Sequence, residues 1–151
     1  MTTQTPRMLF VNVSVRNLKR SMAFYTALGF TFNLRFTNEV AACMKINDTT
    51  YVMLLEEPFF QTFTSQQICD TATHTEALLC ISCDSKEAVN KMVSTALAHG
   101  GRPALAPKDH GMMYGWSFYD IDGHHWEPAW MDPSMADTGC PDASRTEPSA
   151  T

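Results

Sequence analysis

The sequence predicts an α+β fold: two tandem βαβββ modules forming a curled mixed sheet around a cleft. Three observations predict it. The element order β-α-β-β-β is spelled twice along the chain. The halves also match at an offset of 68 to 69 residues, Val13-Ser14-Val15 lying over Ile81-Ser82-Cys83 and Thr26-Ala27-Leu28 over Thr95-Ala96-Leu97. Finally, each module has one helix to cover one sheet face. The uncovered faces must therefore curl around a shared cleft, supplied by two modules or by two chains.

Met8 to Val15 alternates Val11, Val13 and Val15 against Phe10, Asn12 and Ser14, the period of a strand. Asn17 is placed to cap a helix in which Leu18, Met22 and Tyr25 recur at helical spacing and Phe24 pairs with Leu28; Gly29 stops it. Phe30 to Phe36, Val40 to Ile46 and Thr49 to Leu55 read as strands, with Asn47-Asp48 as a tight turn. The second module opens with a strand at Ala77 to Cys83. Asp84 or Ser85 caps the helix that follows, Glu87 standing where a capping box needs an acid. Val89, Met92, Val93, Ala96 and Leu97 make its apolar stripe, and Gly100-Gly101 ends it. An extended piece at Arg102 to Leu105, a strand at Met113 to Tyr119, the Asp122-Gly123 turn and a last strand, His124 to Met131, complete the repeat. The chain thus divides into a first module at 1–56, an aromatic linker at 57–76, a second module at 77–131 and a flexible acidic tail at 132–151. The tail has four acids against one base and, after Met135, nothing large and apolar.

Of the 151 residues, 44% are hydrophobic and 18% charged, with a net charge of -5, which excludes global disorder. Apolar runs such as Tyr51 to Leu55 fall far short of the roughly 20 residues that span a bilayer. No basic-then-apolar segment opens the chain, and no Lys/Arg cluster offsets the acids. The expectation is a soluble cytoplasmic protein with no membrane or nucleic-acid partner. Five cysteines, an odd number, point to free thiols in a reducing compartment. Cys80 and Cys83 lie three apart on a strand, hence on opposite faces, and cannot clamp one metal. No Gly-x-Ser-x-Gly elbow or phosphate-cradling glycine loop occurs.

The run Val13-Ser14-Val15-Arg16-Asn17-Leu18-Lys19-Arg20-Ser21-Met22-Ala23-Phe24-Tyr25, closing on Leu28-Gly29-Phe30, resembles the opening of the vicinal oxygen chelate superfamily, in particular its lactoylglutathione-lyase-like branch. Asp120-Ile121-Asp122-Gly123-His124-His125-Trp126-Glu127 resembles its closing D-P-D-G-x-x-x-E motif. The superfamily includes glyoxalase I, extradiol dioxygenases, fosfomycin-modifying enzymes and bleomycin-binding resistance proteins. The resemblance spans about residues 8 to 131 and implies the glyoxalase-like fold and a homodimer. In the enzymes a divalent metal sits in the cleft. Carried over one by one, its ligand positions fall on Phe10, on Met53 or Leu54, on Leu78 and on Glu127. Phenyl, alkyl and thioether side chains do not hold a hard or borderline cation, so no metal ligand set and no cofactor is predicted. The alternative is a relocated site of His125, Glu127 and His110, serving a metal-dependent lyase or dioxygenase. His74 lies in the linker and His99 near a helix end. The plainer reading makes His124 and His125 rim residues beside a hairpin.

If Val11, Val13 and Val15 meet the helix, then Asn12 and Ser14 face the cleft with Phe10. Cys80 and Ser82 follow in the second module, and His125 and Glu127 on the last strand. Glu127 is the best catalytic candidate, its carboxylate paired with Asn12 or with a ligand, or held neutral. Phe59, Phe60 and Phe63 share one face after Pro58, as a lid, a dimer contact or core. Tyr114 and Trp116 add aromatic surface to the second-module cleft. The expected function is binding of a small organic molecule in an apolar cleft, in the manner of a resistance protein.

Overall fold

A computed structural model of the chain describes residues 4–136. The first module runs β1 (Leu9–Val15), α1 (Leu18–Ala27), β2 (Thr31–Phe32), β3 (Ala41–Lys45) and β4 (Thr50–Glu56). A short helix α2 (Glu57–Phe60) opens the linker. The second module runs β5 (Leu78–Ser82), α3 (Lys86–Ala98), β6 (Arg102–Pro103), β7 (Lys108–Asp109), β8 (Met113–Gly115), β9 (Phe118–Tyr119) and β10 (His125–Met131). The repeat read from the sequence is present in the pairing. β1 runs parallel to β4, with β3 and β2 beyond it, and β5 runs parallel to β10, with the β8–β9 and β6–β7 pieces beyond.

The caps act as the sequence requires. The Asn17 side chain accepts a hydrogen bond from the Arg20 amide at 3.0 Å, and Gly29 takes φ +95, the left-handed turn that side chains resist. At α3 the choice between caps falls on Ser85, whose hydroxyl accepts from the Ala88 amide. Glu87 is then one place too early for a capping box and helps only by its charge near the helix N-terminus.

Three boundaries differ from expectation. The strand foreseen at Phe30–Phe36 is only Thr31–Phe32, because the Asn33 side chain caps a 3₁₀ turn over Leu34–Phe36 instead. The strand foreseen at Met113–Tyr119 is two pieces in one register against β10. Where Trp116 meets Pro128, the tryptophan amide donates to the proline carbonyl at 3.1 Å, but proline has no N–H to return the bond. The folded body does not stop at Met131. A 3₁₀ turn, Pro133–Ala136, buries Met135, and the remainder of the foreseen acidic tail lies outside the described residues.

Val13, Val15, Phe24, Leu54, Val93, Phe118 and Trp126 belong to one core cluster, so the modules pack helix-bearing face to helix-bearing face. Burial of each such side chain stabilises by about 1.5–3 kcal/mol. The opposite face of each sheet is left open as a separate groove.

Candidate functional site

What joins the modules also sets the grooves. Asp120, 2% exposed, accepts from the Tyr25 hydroxyl, from Trp126 Nε1 at 3.2 Å and from the amides of Asp122 and His124, both at 2.9 Å. Asp122 in turn accepts from the Ser21 hydroxyl at 2.6 Å and the Arg16 amide at 2.9 Å. Burial pushes the Asp120 carboxyl above its ordinary range against the lowering influence of His124 and Tyr25, and pushes the Tyr25 phenol well up. The closing motif is therefore an inter-module lock. Its histidine is no rim residue: His124 is 4% exposed, with Nε2 2.6 Å from the Ser14 carbonyl and Nδ1 3.1 Å from a Glu76 carboxylate oxygen. The carbonyl can only accept, so Nε2 carries a hydrogen. The linker is strapped to the same turn, the Thr71 hydroxyl donating to the Asp122 carbonyl. A Cβ on Gly123 would meet the Thr71 carbonyl oxygen at 2.7 Å.

The groove of the second sheet encloses about 290 Å³. Period-two alternation places Trp126 in the core and Glu127 on the groove side, opposite Cys80 of β5. Leu105, Met113, Trp116 and Ala129 supply apolar wall, and His110 and Ser117 polar edge. Cys80 lines this groove; burial and the Glu127 charge both push its thiol up. Tyr114 lines it too, but its hydroxyl is committed to Asn90 of α3 at 2.5 Å. His125, 7% exposed, sits edge-on to Tyr119 with ring centroids 5.2 Å apart. Its Nε2 is buried without a hydrogen-bond partner, 3.4 Å from Glu127 Oε1. Glu127 does not meet Asn12, which belongs to the other sheet; its neighbour is His125.

The groove of the first sheet encloses about 420 Å³. Phe10 stacks on Tyr51 at 5.2 Å and 12°, and Met8, Phe36 and Met53 extend the apolar surface. Asn12 lines it, its amide donating to the Phe10 carbonyl at 3.2 Å. Ser14 is buried and lines neither groove; its carbonyl accepts from His124 Nε2. Tyr51, Phe36 and Asn33 line the first-sheet groove as well, beyond the residues the sequence points to; Tyr51 shares the alternation of Met53, which is the signal for it. Phe59, Phe60 and Phe63 line neither of these grooves. Phe59 and Phe63 pack edge to face at 5.1 Å on the linker turn, and Phe63 stays 70% exposed.

Of the two alignments open for the second ligand position, Met53 faces a groove and Leu54 is wholly buried in the core. Phe10 and Met53 line one groove; Glu127, with Leu78 exposed on neighbouring β5, belongs to the other face. Among the described residues no three His, Cys, Asp or Glu side chains gather as a cation would need. His125, Glu127 and His110 supply a close pair and a third residue along the same groove, not a ligand set. The residues present do not fit the metal that the resemblance implies. No helix among the described residues is long and apolar enough to cross a membrane.

A family model described as the Glyoxalase/Bleomycin resistance protein/Dioxygenase superfamily matches residues 7–127. No curated protein matches the sequence. Among solved structures, the chain is similar to a hypothetical protein of S. aureus, SA1046, at 29% identity and TM-score 0.69, over 84% of this chain and 95% of that one. A glyoxalase/bleomycin resistance protein/dioxygenase family enzyme from Burkholderia phytofirmans PsJN is 19% identical with TM-score 0.70, over 83% and 99%. A bleomycin resistance determinant encoded on transposon Tn5 is 16% identical with TM-score 0.58, over 83% and 98%. The last two likenesses are of fold alone.

Proposed function

The chain belongs to the glyoxalase/bleomycin resistance protein/dioxygenase superfamily, and from that premise we propose that it binds a small, largely apolar organic molecule without a catalytic metal. One observation carries this reading. Of the four positions that hold the cation in the family's enzymes, Phe10, Met53 and Leu78 offer carbon or thioether, and only Glu127 offers an oxygen. The grooves support it: their walls are aromatic and aliphatic, with few polar groups to orient a ligand.

The protein acts as a homodimer in this reading. Phe10 and Leu78 stay 47% and 60% exposed on the two sheets, and a second copy would cover the surface they open. The thiols of Cys43, Cys69, Cys80 and Cys83, all unpaired, suit the reducing cytoplasm.

The test of function is equilibrium binding of a small hydrophobic panel to chelator-treated protein, with sedimentation measuring the dimer. Saturable binding with a one-to-one stoichiometry per groove supports the reading, and no binding until zinc or nickel is restored opposes it. The second reading, a metal-dependent lyase or dioxygenase, is favoured by the His125–Glu127 approach alone. It predicts metal-dependent turnover, with a glutathione hemithioacetal as first substrate, that is lost in Glu127→Ala.

A further inference from the structure

We propose that His125 Nε2 and Glu127 Oε1 form a hydroxyl-receiving subsite, so that the bound molecule is an alcohol or phenol on an otherwise apolar frame. This rests on the reading of the groove as a ligand site and names the chemistry of the ligand. His125 is held on β10 by its place two residues before Glu127, by its edge contact with Tyr119 and by the parallel pairing opposite Leu78. Its side chain is 8% exposed, and Nε2 has no hydrogen-bond partner, a state that costs a buried nitrogen its hydration without replacement. The nearest acceptor, Glu127 Oε1, stands 3.4 Å away, too far and too poorly aligned to satisfy it.

With Nε2 enclosed and Oε1 3.4 Å away, an oxygen about 2.8 Å from both enters when the carboxylate moves aside. Beside the Glu127 carboxylate the imidazole is assigned the Nε2–H tautomer, so such an oxygen accepts from that N–H and donates to the carboxylate. A hydroxyl does both. A carbonyl, ether or methyl group does not, and an ammonium has nothing for the imidazole to donate to. Glu127 lines the groove and is 35% exposed, so its carboxylate can swing to admit the group while His125 stays fixed. Leu105, Met113 and Trp116 then cover the apolar frame. The pair binds and orients; no bond is made or broken.

The experiment compares 2-naphthol with 2-methylnaphthalene, matched in shape and differing in the hydroxyl. Binding is measured by calorimetry on the full chain, on wild type, His125→Phe and Glu127→Leu. The expected result is about a tenfold preference of wild type for the naphthol, falling to near parity in both variants, read as the ratio of the two affinities within each protein. The ¹⁵N shift of His125 Nε2 should move with the naphthol and not with the methyl compound, a readout that needs no variant to fold. Equal wild-type affinity for both compounds, or an unmoved nitrogen, overturns the subsite, leaving water as the partner of the pair, but leaves the apolar groove standing. Failure of both compounds to bind defeats the groove reading instead.

Discussion

Replacing Tyr25 by Phe deletes one oxygen from the junction between the modules and nothing else. The ring keeps its contacts with Phe24, Phe30 and Trp126, at centroid distances of 5.1, 6.1 and 5.7 Å. Lost are the hydrogen bond to the buried Asp120 carboxyl and the acceptor 3.0 Å from Trp126 Nε1. Trp126 retains Asp120 Oδ2 at 3.2 Å, so the buried carboxyl oxygen goes from two donors to one. A hydrogen bond to a charged group contributes about 1.5–3 kcal/mol, so the variant should lose about 2 kcal/mol. In a chain of this length that lowers Tm by about 4–8 °C. Urea unfolding at pH 7 measures it, with an unchanged m-value as the sign that both states are otherwise the same. Tyr51→Phe is the control. Its hydroxyl makes one long exposed bond, 3.3 Å to the Asp48 carbonyl, and its loss should cost less than about 0.5 kcal/mol. If Tyr25→Phe is as stable as the control, the buried lock does not hold the modules together.

Gly123→Ala combines a left-handed φ of +87 with a Cβ that lands 2.7 Å from the Thr71 carbonyl oxygen, and should cost about 2 kcal/mol or more by thermal melting. Wild-type stability in that variant would mean the linker does not ride on the turn. Asp120 has a folded pKa raised above its unfolded value, so its contribution to stability is full below about pH 4 and declines as pH rises through the folded pKa. The stability of wild type relative to Asp120→Asn should therefore fall with rising pH across that window; a rising difference reverses the sign. His125→Phe removes an unsatisfied buried nitrogen and should raise stability by about 1 kcal/mol, whereas a loss of that size would show that the nitrogen has a partner. Glu127→Gln removes a charge that holds the Cys80 thiol up, so alkylation of Cys80 at neutral pH should quicken, read by mass spectrometry against Cys69. An unchanged rate would place the carboxylate away from the thiol.

Much of this architecture was legible because alternation along a strand is a local property. Val13 and Val15 against Phe10 and Asn12, and Trp126 against Glu127, sort themselves between core and groove with no knowledge of their partners. The elements that misled depend on contacts distant in sequence. Pro128 breaks a ladder on a strand facing it, and the split appears in Met113–Tyr119, where no proline stands. His124 looks like a turn residue until Ser14 and Glu76 arrive, 110 residues away and across the linker. Asn12 and Glu127 line grooves on different sheets rather than one shared cleft, and their expected pairing fails because nothing local says that the two sheets meet by their helices. The candidate site fared likewise. Its lining by Cys80, Trp116 and Glu127 follows from periodicity and composition, but the diversion of the Tyr114 hydroxyl to Asn90 and the isolation of His125 Nε2 exist only in three dimensions.

In the proposed reading a ligand site stands where carbon and thioether groups occupy the positions of a cation's donors. Elemental analysis of untagged protein, paired with 2-naphthol binding before and after chelation, tests it most directly. The expected result is well under one equivalent of divalent metal per chain and the same affinity in both preparations. One equivalent of zinc, nickel or iron, with binding abolished by the chelator and restored by the metal, would contradict it.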